Sequence, residues 1–247
     1  MSKTNVLKFK KLFGAEPESM SPTLIISPFF SVKVFSAFLK KQAFFKGLVF
    51  KGVRGIYKNK PVTFIHTGMS AALVSDCVLA QDTRHTGKVI FLGAAGAVQG
   101  LNVGDCVIIK EAVLDIEYYR HYGFECRQEE EKNFFADKGL LEQSICAARE
   151  QNIELKPTRL MSVYSLWDQD ESFAQALGQK NIQAIDLECA LFYAAAGRRN
   201  IKAAALCYIS DHIIRKPFWS EFTLPERLAA KKSFLSIIRL ALGLIRE

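Results

Sequence analysis

The chain has 247 residues, 49% hydrophobic and 23% charged, which supplies a full core and suits one domain with a short extension. Its six cysteines, Cys77, Cys106, Cys126, Cys146, Cys189 and Cys207, form no CxxC pair or metal-ligand spacing, which argues against a disulfide framework or a zinc site and for reduced thiols in a cytoplasmic protein. No apolar run reaches the roughly 18 to 20 residues of a membrane helix, and the lysine-broken start MSKTNVLKFKKLFG holds no secretory core.

The net charge of +8 is concentrated at one end: residues 1–60 hold 12 Lys/Arg against Glu16 and Glu18, and the remainder holds 21 against 23. Such a region can meet RNA, an acidic surface or a phosphorylated ligand. Lys3, Lys8, Lys10 and Lys11 have too few aromatics among them for a base-stacking platform, so a solvated face is expected and a nucleic-acid role is not.

In chain order, residues 1–20 read as a basic arm outside the core, with the folded domain at 21–247. From Thr23 on, the strand-like runs TLIIS, PVTFIH, KVIFL, DCVIIKEAV, PTRLMSVYS, IQAID and KAAALCYIS alternate with the helical patterns MSAALVSDCVLAQ, GLLEQSICAAREQ, ESFAQALGQK and ECALFYAAAGRR. This alternation predicts an α/β fold: a three-layer α/β/α sandwich whose central sheet is mixed, largely parallel and covered on both faces. In the last helix Thr223 stands three residues before Glu226 as a capping box, with Pro225 in the first turn. Leu228, Leu235, Ile238, Leu242 and Ile245 recur at helical spacing and predict a core-facing stripe.

Ligands of open α/β sheets collect where strands end, so polar or small residues just beyond apolar runs are the candidates. His66-Thr67-Gly68-Met69-Ser70 turns a strand into a helix and offers helix N-terminal amides to an anion or hydroxyl, or is a plain tight turn. Gly93-Ala94-Ala95-Gly96 follows VIFL with residues small enough for a ligand to approach the main chain, and lacks the GxGxxG spacing of a dinucleotide site. In Ile185-Asp186-Leu187-Glu188 alternation puts both acids on one side, where a carboxylate can accept from the vicinal hydroxyls of a ribose or stabilise the helix that follows. Ser210-Asp211-His212 places an aspartate where partial burial can hold its proton near neutrality, unless it is an N-cap.

In order and spacing these places resemble the nucleoside phosphorylase and nucleosidase superfamily, over residues 23 to 247. Gly55-Ile56-Tyr57-Lys58 through Gly68-Met69-Ser70 is similar to its strand and helix entry, and LGAAGAVQGLNVGDCVII, with Gly104 and Asp105, to its glycine-rich turn and following strand. IDLECALFYAAA resembles its ribose-binding segment and YISDHI the segment of its catalytic aspartate.

The resemblance implies a phosphorylase/hydrolase-like fold acting on a nucleoside without cofactor or metal, as a homo-oligomer, dimer or hexamer. It implies Glu188 on the 2′ and 3′ hydroxyls, with Met69 and Leu187 against the sugar. Asp211 would be the general acid at N7 of a purine, an effect worth about 10²- to 10⁴-fold, with Ser210 orienting it and Arg227 assisting. Leu166 and Trp167 would face the base. The family's phosphate ligands look lost: Pro28 and Val32 replace a glycine and an arginine in the loop SPFFSVK, and Phe91 and Ala94 replace an arginine and a serine. Hydrolysis is therefore expected ahead of phosphorolysis, with Asp186, His66 or a neighbouring subunit supplying the base for water. Phosphorolysis would require Lys33 or another subunit to rebuild the anion site, and the lost ligands also leave a catalytically reduced nucleoside-binding role open.

Overall fold

A computed structural model describes residues 1–114, 132–167 and 169–245; Cys126 lies outside them. Thr23–Ser27 (β1) is buried at every position, as an apolar run with parallel neighbours on both sides must be. Those neighbours are Lys60–His66 (β4) and Lys88–Ala97 (β5). Lys40–Lys46 (β2) and Lys51–Tyr57 (β3) extend the sheet beyond β4 as antiparallel strands. On the other side stand Cys106–Leu114 (β6), Lys132–Phe135 (β7), Leu155–Ser162 (β8), Ala184–Asp186 (β9) and Lys202–His212 (β10), which among the described residues complete a ten-stranded mixed sheet.

Side chains alternate across this sheet with period two. Leu24, Ile26, Val89 and Phe91 join one apolar layer, and Ile25, Ile90 and Leu92 join the other. The first layer is closed by Ala71–Leu79 (α3) and Cys189–Arg199 (α6), through Val74, Cys77, Val78, Phe192 and Ala196. The second is closed by Lys138–Glu150 (α4) and Leu224–Gly243 (α7), through Ala148, Ile237, Ile238 and Ala241. Helices on both faces of a mixed sheet give the three-layer α/β arrangement that the alternating pattern predicts. No helix among the described residues is long and apolar enough to cross a membrane.

One half of the sheet is not open. β5 pairs with β10 and β9, β9 with β8, β8 with β6, and β6 with β10, so five strands close a ring. Register shifts between Ile209 and Asp211 and between Ile109 and Glu111 supply bends that such closure needs. Small residues in β5 and β10, among them Gly93, Ala94, Ala203 and Ala204, let the strands curve closely.

The N-terminal segment is not an arm outside the core. Lys3–Phe13 (α1) starts on Ser2, whose hydroxyl accepts from Asn5 N at 3.2 Å, and ends at Gly14 in the left-handed region with φ 66°. A Cβ at Gly14 would lie 2.3 Å from the Lys46 carbonyl oxygen, so only glycine fits. Phe9 and Phe13, one turn apart, are buried and stacked at 4.2 Å, and Phe13 stacks on Phe50 at 4.5 Å. Their spacing is the signal that the lysines between them obscure.

In α7 the capping box is formed, with Thr223 Oγ1 accepting from Glu226 N and Glu226 Oε2 accepting from Thr223 N at 2.6 Å. The predicted stripe holds from Leu235 onward, whereas Leu228, near the start of α7, stands exposed.

Candidate active site

A cavity of about 280 Å³ opens where β5, β9 and β10 end, at the rim of the closed ring. The stretch Gly93–Gly96 is strand rather than turn, continuing β5 through Ala97. Ala94 and Gly96 are half-buried and turn toward the cavity. Gly96 lies beside Asp211 in the ladder, and a Cβ there would come within 3.2 Å of Asp211 Oδ2 and 3.3 Å of Ile213. Glycine at 96 therefore leaves room for the carboxyl of Asp211.

The irregularity in β10 re-aims Ser210 and Asp211 so that both line the cavity. Ser210 Oγ donates to Asp211 Oδ1 at 2.6 Å, with the Ala95 carbonyl at 3.4 Å. Burial pushes the Asp211 carboxyl above its ordinary range, and the Ser210 bond opposes this more weakly. His212 serves the following turn, its Nδ1 accepting from Ile214 N and Arg215 N at 3.3 Å each.

Across the cavity, Asp186 and Glu188 lie at the entry to α6 and have different duties. Asp186 Oδ1 accepts from Ser162 Oγ at 2.5 Å and Oδ2 from Cys189 N at 2.8 Å, while Ser162 Oγ accepts from Ala190 N at 2.8 Å. This pair satisfies the first amides of α6, the helix-stabilising alternative for Asp186. Burial raises the Asp186 carboxyl, and these bonds work against the rise. Glu188 is 2% exposed, and among the described residues its Oε1 has no hydrogen-bond partner. Burial first, then the charge of Asp186, pushes its pKa up to about 8. A buried carboxyl with a bare oxygen on a cavity wall is built to meet a hydroxyl or amine that arrives with a ligand.

Met69, Ala95, Leu166 and Leu187 also line the cavity. Gly68, Trp167 and Arg227, also named from sequence, do not. Gly68 holds the turn after β4 with φ 78°, and Trp167 is 93% exposed. Arg227 lies on the exposed first turn of α7, its Nε donating to the Phe222 carbonyl at 2.9 Å. The structure adds Phe29, Val163, Gln169, Ile185, Tyr208 and Phe218 to the lining. Of these, Tyr208 pairs with Ala94 in the β5–β10 ladder, a neighbour relation that the sequence pattern does not report. Phe218 and Gln169 come from loops with no periodic signal.

No Lys, Arg or His is among the described lining residues. In the loop after β1, Ser27 Oγ accepts from Phe29 N at 3.2 Å and Phe30 N at 3.1 Å, so those amides are already engaged. Phe91 is fully buried against Phe192, ring centres 5.4 Å apart. His66, half-buried with Nδ1 3.0 Å from the Phe30 carbonyl, and Lys33, exposed on Val32–Ser36 (α2), both lie outside the lining.

Known proteins match this chain over most of its length. The purine nucleoside phosphorylase DeoD-type 2 of Vibrio vulnificus strain YJ016 is 29% identical over 198 residues, 77% of this chain and 78% of that protein. The DeoD-type purine nucleoside phosphorylase of Buchnera aphidicola subsp. Schizaphis graminum is 29% identical over 172 residues, 66% and 68% of the two chains. A crystal structure of uridine phosphorylase from Vibrio fischeri ES114 superimposes with a TM-score of 0.76 at 18% identity, covering 93% of each chain, which is a likeness of fold. These relatives carry phosphorylase names, and the expected preference for hydrolysis finds no support among them. The family model of the phosphorylase superfamily matches residues 25–240, and the chain belongs to that superfamily.

Proposed function

We propose that this protein cleaves the N-glycosidic bond of a purine nucleoside, with inorganic phosphate as the acceptor of the ribosyl group. The observation that carries the reading is that Asp211 and Glu188, on different elements, share one cavity. In this reading Glu188 accepts hydrogen bonds from the 2′ and 3′ hydroxyls and fixes the sugar. Asp211, whose carboxyl burial shifts toward its protonated form, donates its proton to N7 as the C1′–N9 electron pair passes to the base. The positive charge left at C1′ is met by an oxygen of the acceptor, which forms the new C1′–O bond. Ser210 holds Asp211 Oδ1, so the proton sits on Oδ2, the oxygen that overlies Gly96.

The phosphorylase names of the relatives support phosphate as acceptor. Its charge is then met from outside the described lining, by Lys33 or by a neighbouring copy in a homo-oligomer. Hydrolysis is the second reading, and the observation favouring it is the cation-free lining, with Ala94 on it where the resemblance puts a serine. Assaying free base from a panel of purine nucleosides, with inorganic phosphate present and rigorously removed, separates the two. Phosphate-dependent release yielding ribose 1-phosphate supports the first. Release of free ribose at an equal rate without phosphate replaces it with the second, and no release under either condition refutes both.

A further inference from the structure

Apolar side chains outside the cavity gather at one end of the molecule with no element to cover them. Ser27 of β1 pairs with His66 of β4, His66 with Lys51 of β3 and Lys51 with Lys46 of β2, so the turn over residues 47–50 stands at the same sheet end as those strand termini. On that turn Leu48 is 73% exposed, and Val49 is exposed beside it. At the same end Trp167, next to Leu166 of the cavity wall, is 93% exposed, and after β10 Trp219 and Leu224 are 62% and 69% exposed. None of these five side chains lines the cavity, so a ligand bound there leaves them in water. Large apolar groups gathered in this way mark a surface that a second body covers.

Cations accompany them. Lys11, whose carbonyl accepts from Leu48 N at 2.9 Å, is exposed and in no ion pair among the described residues, as are Lys33, Lys46 and Lys51. Arg215 and Arg227 are also exposed at this end, and Lys216 binds Glu226 at 3.0 Å. Of the other acids there, Asp170 is spent on the Phe173 amide at 2.8 Å, which leaves Glu171 and Glu221. Positive charge therefore prevails. A second copy laid on this face would set like charge on like, whereas anionic lipid headgroups neutralise it. The apolar tips stand on turns and at a helix start rather than along a helix stripe, and a fluid bilayer surface receives such tips without matching pockets. We propose that this end docks on the surface of an anionic lipid bilayer, with Leu48, Val49, Trp167, Trp219 and Leu224 entering the headgroup layer and the lysines meeting its charge.

Trp167 and Trp219 are the chain's only tryptophans, so intrinsic fluorescence reads this face alone. The full chain is mixed with vesicles of phosphatidylcholine, or of phosphatidylcholine with about one-third phosphatidylglycerol, and followed by tryptophan emission and co-sedimentation. The expected result is a blue shift and a partition onto the anionic vesicles at least about tenfold above that onto phosphatidylcholine, reduced by salt. Lys46→Glu and Lys51→Glu each lower the partition at least about fivefold, and Leu48→Glu lowers it as well. Lys60→Glu makes the same change in net charge at the far end of β4, on an exposed residue, and leaves the partition unchanged. Absence of a blue shift on anionic vesicles overturns the proposal, and so does an equal loss from Lys60→Glu, which would mean attraction by net charge with no docked face. A dimer in sedimentation equilibrium that Leu48→Glu dissociates, with no vesicle binding, assigns the face to a second copy and overturns it too. Nucleoside turnover enters none of these readouts, so the outcome is independent of the glycosidic reading.

Discussion

Asp186 spends both carboxylate oxygens on Ser162 Oγ and Cys189 N, while Glu188, two residues later on the same cavity wall, keeps a buried Oε1 with no partner among the described residues. One acid secures the helix; the other keeps an unpaired oxygen, which the proposed function assigns to the ribose. If Glu188 grips the ribose, Glu188→Ala lowers kcat/KM by on the order of 10²-fold or more, with both KM and kcat affected, because the contacts position the sugar as well as bind it. Wild type should also prefer ribo- over 2′-deoxyribonucleosides. Steady-state kinetics on both sugar types check this, and equal use of the two would remove Glu188 from the hydroxyls.

Ser162 and Asp186 should matter to stability more than to chemistry. Ser162→Ala strands the Ala190 amide and one oxygen of Asp186 at a buried helix start, which costs about 1–3 kcal/mol. Thermal unfolding should show a Tm lower by several degrees. An unchanged Tm would mean that water replaces the hydroxyl.

The raised pKa of Glu188 sets a pH dependence. In the unfolded chain the carboxyl ionises near its ordinary 4.5, whereas in the empty folded site it holds its proton up to about 8. Its contribution to stability is therefore full below the unfolded value and is lost as pH rises toward 8, by a few kcal/mol in all. Denaturation of ligand-free protein between pH 5 and 9 should show this decline, and Glu188→Gln should flatten it. Ribose hydroxyls donating to the carboxylate favour its charged form, so nucleoside binding at pH 7 should release a proton. Calorimetry in buffers of different ionisation enthalpy reads that release directly, and its absence would place the ligand elsewhere.

Much of this architecture is legible in the residues, and the failures have physical causes. TLIIS, KVIFL and KAAALCYIS announce buried parallel strands because both of their faces must be apolar. β2 does not, since five of its first six positions are exposed outright and KKQAFFK carries no alternation. The closed ring could not be read from periodicity, which reports the faces of a strand and not its neighbours. Asp211, Glu188 and the small residues of β5 stood out as polar or tiny groups at the ends of apolar runs. Arg227 and Trp167 were carried over by resemblance alone, and the structure leaves both outside the cavity.

The N-terminal helix offers a separate check on what belongs to the core. Phe13 is fully buried against Phe9 and Phe50, so Phe13→Ala should destabilise the protein by about 3–5 kcal/mol, well above what loss of a surface arm would do. Denaturant titration measures it; a change under about 0.5 kcal/mol would show that α1 detaches freely in solution.

The most direct measurement of the central claim is free purine released from nucleoside by wild-type and Asp211→Asn proteins side by side in phosphate buffer, with circular dichroism to confirm that both are folded. The account predicts turnover by the wild type and a loss of at least about tenfold in the variant, since an amide has no proton to give to N7. Equal release by the two proteins would contradict it.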